Sequence, residues 1–158
     1  RRIAFASYDS ASGFLVALAR LIDAGLDPGE ILARHIVGGS HVEAIRALSE
    51  GRADAAATFR GGIEAARSAG IDTGSLRVVG ITASIPQDTL VARADMPAPA
   101  RACVQHAFLA LSNASAAGRH ALARVSWIEG WAPTDPSFYE GLADVREKVR
   151  RFAPEVAP

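Results

Sequence analysis

The residues best suited to chemistry sit in small serine- and glycine-rich runs that follow short apolar stretches. Ser10-Ala11-Ser12-Gly13 comes after Ile3-Ala4-Phe5-Ala6 and opens an amphipathic segment, so it reads as a strand-to-helix junction. Hydroxyls and free backbone N–H groups converge at such a junction. A helix start also carries roughly half a unit of positive charge, which suits a phosphate-like anion without any lysine. The competing reading is a plain N-cap, with Ser10 or Ser12 satisfying the first turn, and these four residues alone favour the cap.

Gly39-Ser40-His41 repeats the arrangement at the next junction. In an open α/β sheet both junctions fall at the carboxyl edge, where ligands bind. His41, at a helix start, is the histidine whose ring could donate to an oxyanion. His35, His106 and His120 lack that placement and read as ordinary surface or half-buried side chains. The third junction, Thr58-Phe59-Arg60-Gly61-Gly62, ends on the same edge. Arg60 there could grip an oxyanion with its planar fork or could be a solvated loop arginine, and the two readings weigh equally. Tyr8 and Asp9 could line a cleft or merely shape the loop. Asp54 begins the third strand, so it is expected away from that edge in a structural hydrogen bond.

Other chemistries lack their signatures. The sequence has no glycine-rich phosphate loop with lysine, no dinucleotide fingerprint and no paired cysteine or histidine spacing for a metal, so no cofactor is expected. A Ser12/His41/Asp54 hydrolase can be written down, but no Gly-x-Ser-x-Gly elbow surrounds either serine, and Asp54 falls at the wrong strand end.

These groups must be held by alternating strands and helices. Residues 3–6, 35–37, 54–59 and 76–82 read as strands, although the alanine run within 54–59 could equally be helical. Between them lie helices marked by Phe14, Leu18, Leu21 and Ile22, by Val42, Ile45 and Leu48, and by residues 63–69, with Gly25, Gly51 and Gly70 as stops. Ser40 and Glu43 have capping-box spacing. The first 84 residues thus predict a β-α-β-α-β-α-β lobe. Thr89 to Arg93 predicts one more strand. Helical stripes follow at Val104, Phe108 and Leu111, at Leu122 and Val125, and from Phe138 through Leu142, Val145 and Val149 to Phe152.

The 158 residues balance 17 basic against 17 acidic side chains, with 49% apolar and 22% charged residues, which is a globular composition and argues against a nucleic-acid surface. The single cysteine, Cys103, lies in an apolar run and predicts a buried, inert thiol. No apolar run approaches the ~20 residues that span a bilayer. The chain opens Arg1-Arg2 and enters a strand at once, which predicts the middle of a longer protein.

Taken in order, Ile3-Ala4-Phe5-Ala6 to Ser10-Ala11-Ser12-Gly13, Gly39-Ser40-His41 and Gly51-Arg52-Ala53-Asp54-Ala55-Ala56-Ala57 resemble the phosphate/phosphite/phosphonate family of ABC-transporter substrate-binding proteins. Ile85-Pro86-Gln87-Asp88-Thr89-Leu90-Val91 is similar to that family's crossover between lobes. Trp131-Ala132-Pro133-Thr134-Asp135 to Tyr139 is similar to its closing segment. The resemblance implies an α/β, type II periplasmic-binding-protein-like fold: one complete lobe over residues 1–84, and over 85–158 the crossover and C-terminal helical segment returning to the first lobe. It implies a non-enzymatic, periplasmic or extracytoplasmic binding protein that captures a small phosphorus oxyanion and delivers it to an ABC permease. Ser10, Ser12 and His41 would touch the ligand, assisted by the amides at Ala11 and Ser12, with Ser40, Tyr8, Thr58 and Arg60 around them. Ala11 stands where the family has a threonine, which removes one hydroxyl donor. The part of the first lobe normally N-terminal to this point is not in the chain, and the apolar surface so exposed predicts a homodimer. The alternative use of the same fold is a ligand-sensing input domain. A small Ser/His hydrolase is disfavoured.

Overall fold

In the computed structural model, which describes residues 1–82, 84–86, 89–123 and 128–156, three short parallel strands form the sheet. β1 (Ile3–Phe5) is the central strand, paired with β2 (Ile36–Val37) on one side and β3 (Ala55–Ala56) on the other. Residues of a strand alternate between faces. Accordingly Phe5 packs with Phe14, Leu18 and Val149 in one buried cluster, and Ala4 with Ala44, Ala47 and Ala53 in another. Both faces of β1 are covered, which is why its sequence is apolar throughout rather than alternating.

A single π turn, Ala11–Leu15, runs directly into α1 (Val16–Asp23). The Ser10 carbonyl accepts from both Phe14 and Leu15 N–H at 3.0 Å, so the helix starts wide. α2 (Pro28–Leu32), capped by Asp27, was not anticipated; with five residues it is too short to show a periodicity. α3 (His41–Ser49) and α4 (Gly62–Ser68) follow the next two strands. Ser40 Oγ caps α3 by accepting from Glu43 N–H at 3.1 Å, while the Glu43 carboxylate pairs with Arg46. Gly51 ends α3 at φ +71°, and the N–H of Arg52 reaches back to the Ala47 carbonyl, a left-handed stop that favours glycine.

The chain divides into two compact units, residues 1–86 with 139–158, and residues 87–138. Within the first unit α7 (Glu140–Phe152) packs on α1 through fully buried Val149, and Lys148 Nζ reaches Asp23 at 2.7 Å. Its apolar stripe is shorter than expected. Phe138 precedes the helix in a 3-10 turn and is 67% exposed, and Phe152 is half exposed. The second unit contains α5 (Ala98–Ala110) and α6 (Ala116–Leu122), with Phe108 against Trp131 at 5.1 Å and an antiparallel bridge between Ser112 and Gly130. Val125 of the expected stripe, and Gln87 and Asp88 of the expected crossover, lie outside the described residues.

Three expectations are corrected. Residues 76–82 and 89–93 form no strand among the described residues. Their β-branched side chains favour an extended backbone, but a strand also needs a neighbour for its N–H and C=O groups. The sheet ends at β3, leaving Val79 at 84% exposed and Val91 at 86%. Cys103 is exposed rather than buried, because no residue of α5 is buried and the local apolar run has nothing to face.

Candidate functional site

Because the strands are parallel, the three segments that leave them lie at one edge of the sheet. Each contributes one group to a small cluster. Ser10 ends the loop after β1, His41 starts α3 after β2, and Thr58 lies between β3 and α4. His41 Nε2 is 3.4 Å from Ser10 Oγ, and its Nδ1 is 3.2 Å from Thr58 Oγ1. The Phe59 ring stands edge-on to the imidazole at 4.9 Å.

Close packing fixes this cluster. Ser10 Oγ accepts the Gly13 N–H at 2.9 Å, which holds its rotamer. A Cβ on Gly13 would lie 2.5 Å from the Ala6 Cβ and 2.8 Å from His41 Cε1, so only glycine lets the helix start touch both β1 and the imidazole. A Cβ on Gly62 would lie 2.0 Å from Thr58 Oγ1, so the threonine folds down over that glycine. The Gly39 N–H donates to the Ala6 carbonyl at 2.8 Å, tying the second loop to the first just past the strands.

The cluster offers donors and no net charge of its own. The N–H groups of Ala11 and Ser12 at one helix start, and of His41 and Val42 at the other, have no acceptor among the described residues, as first-turn amides do not. Burial pulls the His41 pKa below its ordinary value, so the ring is neutral near pH 7. Hydroxyls, amides and a half-buried imidazole converging at two helix starts form an environment for an oxyanion.

Ser10, His41 and Thr58 are brought together. Ala11 and Ser12 sit half-buried in the adjoining π turn. Ser40 is exposed and its hydroxyl is occupied as the α3 cap. Arg60 is exposed in the turn before α4. Tyr8 is engaged elsewhere: its hydroxyl lies 2.7 Å from His35 Nε2, whose Nδ1–H donates to the Leu32 carbonyl at 2.6 Å. That relay, and Phe59 beside His41, were not read from the sequence; Tyr8 and His35 stand 27 residues apart and no local pattern links them.

The triad that can be written on paper is not assembled. Both His41 nitrogens face hydroxyls rather than a carboxylate. Asp54 lies at the other end of its strand and accepts the Arg2 N–H at 2.6 Å. Among the described residues no three His, Cys, Asp or Glu side chains group closely enough to hold a metal ion.

Among known families, a model described as "ABC transporter, phosphonate, periplasmic substrate-binding protein" matches residues 1–139. No curated protein matches the chain.

Proposed function

Since the chain belongs to the family of periplasmic substrate-binding proteins of phosphonate ABC transporters, we propose that the Ser10, His41 and Thr58 cluster is one wall of its oxyanion clamp. The family assigns the chain an extracytoplasmic role, capturing a small ligand and handing it to a permease. No helix among the described residues is long and apolar enough to cross a membrane. The finer reading is a type II lobe over residues 1–84, with 85–158 as the crossover and returning segment, and a ligand that is a phosphonate, phosphite or phosphate.

One observation carries this reading: three successive strand-to-helix junctions, far apart in sequence, place two hydroxyls on the two nitrogens of one neutral imidazole, at 3.4 and 3.2 Å, beside free helix amides. Ser12 and one of the pair Ser10 and Thr58 supply O–H donors, and the amides at Ala11 and Ser12 supply N–H donors. A tetrahedral anion is held by charge–dipole contacts instead of a buried lysine.

The test is thermal unfolding with methylphosphonate, phosphite or phosphate. A ligand present at one hundred times its Kd stabilises the folded state by about 2.7 kcal/mol, a rise in Tm of roughly 5–10 °C for a chain of this size. Ser10→Ala and Ser12→Ala should reduce the rise, whereas His106→Ala on α5 should not. No rise with any of the three anions sinks the reading.

A further inference from the structure

His41 turns both ring nitrogens to hydroxyls, Nε2 to Ser10 Oγ and Nδ1 to Thr58 Oγ1. A neutral imidazole has one N–H and one lone pair. In either tautomer one hydroxyl must give its hydrogen to the bare nitrogen, while the other accepts the ring N–H and keeps its own hydrogen. The neutral cluster therefore offers an incoming anion a single hydroxyl hydrogen. An imidazolium donates from both nitrogens. Each hydroxyl then accepts from the ring and has its hydrogen released for the anion. The count closes at Ser10, whose oxygen accepts from Gly13 N–H at 2.9 Å and from the ring, filling two lone pairs while it donates once.

We infer that oxyanion capture takes up a proton at His41, which acts as a positioning residue: the ring is neutral without the anion and becomes imidazolium with it, turning Ser10 and Thr58 into simultaneous donors. The inference rests on the anion site proposed above and adds its regulation by pH and its preference for dianions.

The surroundings permit it. Burial holds the ring neutral in the free protein, and no charge contributes to that effect. On α3 the nearest acid, Glu43, is tied to Arg46 at 3.1 Å, and on α4 Glu64 is tied to Arg67. Asp9 and Arg60, on the loops after β1 and β3, are both exposed, and His35 beside β2 is engaged by Tyr8 and Leu32. A dianion against the ring is thus the charge that would raise its pKa.

The experiment is calorimetric titration of the full chain with methylphosphonate at about pH 8.5, where the ligand is already dianionic, in two buffers of different ionisation heat, which reads protons taken up per anion bound. The expected value approaches one, with Kd weakening about tenfold per pH unit in that range. The His41 ring 15N shifts should move from the neutral to the imidazolium pattern on binding. His41→Asn, whose amide reaches the Nδ1 position beside Thr58 but cannot be protonated, should bind more weakly and take up no proton. Tight binding with a ring that stays neutral overturns the inference and leaves the anion site standing. Uptake that persists in His41→Asn puts the proton on the ligand and also overturns it. No binding of methylphosphonate, phosphite or phosphate removes the site itself, and this inference with it.

Discussion

Gly13→Ala tests whether the cluster depends on close approach of the helix start to β1. The added Cβ would sit 2.5 Å from the Ala6 Cβ, 2.8 Å from His41 Cε1 and 2.9 Å from Ser10 Oγ. Carbon atoms pack at about 3.5–4.0 Å, so something must move by roughly 1 Å. The Ala6 Cβ cannot rotate away, because it is fixed to a buried backbone position past the end of β1. The helix start must therefore lift, carrying Ser10 with it. Overpacking of this kind costs about 1–3 kcal/mol, or roughly 2–12 °C in Tm at this chain length. The Ser10–His41 contact, already 3.4 Å, has no slack and should be lost. Urea unfolding and titration with methylphosphonate should show a destabilised protein that binds at least several-fold more weakly, since a lost hydrogen bond is worth about 1 kcal/mol. Gly141→Ala, where nothing lies within 4 Å, is the control and should be neutral or slightly stabilising. Wild-type stability and affinity in Gly13→Ala would refute the packing argument.

Two further substitutions probe the frame around the site. Val149→Ala removes two methyl groups from a fully buried position between α1 and α7 and should cost about 2 kcal/mol in urea unfolding, whereas Val79→Ala, 84% exposed, should stay within about 0.5 kcal/mol. The Asp54 carboxyl is held below its ordinary pKa first by the Arg2 N–H and also by the Arg1 charge. A depressed carboxylate pKa contributes stability that is present above the ordinary carboxylate range and lost as pH falls through the folded value. Asp54→Asn should therefore be the less stable protein at pH 6 and lose that deficit as pH falls below the ordinary carboxylate range, as read from thermal unfolding across the range. A deficit independent of pH would assign the effect to packing instead.

Apart from the five-residue α2, the order of strands and helices through residue 70 was legible in the sequence because each element carries its own signal. Apolar residues buried on both faces mark β1, Ser40 caps α3, and Gly25, Gly51 and Gly70 stop three helices at positive φ. The candidacy of Ser10, Ser12, His41 and Thr58 followed from the same local grammar of strand, small polar residue and helix. Tertiary structure alone decided which of these meet. Ser10 and Thr58 find the two nitrogens of one ring because three parallel strands place their junctions on one edge, and glycines at 13 and 62 let the backbones close in. Tyr8 went to His35, a choice set by distance and not by residue type. The segments 76–82 and 89–93 and the thiol of Cys103 failed as expectations for a related reason. Strand pairing and burial are properties of a neighbour, and a local apolar run cannot specify that the neighbour is there.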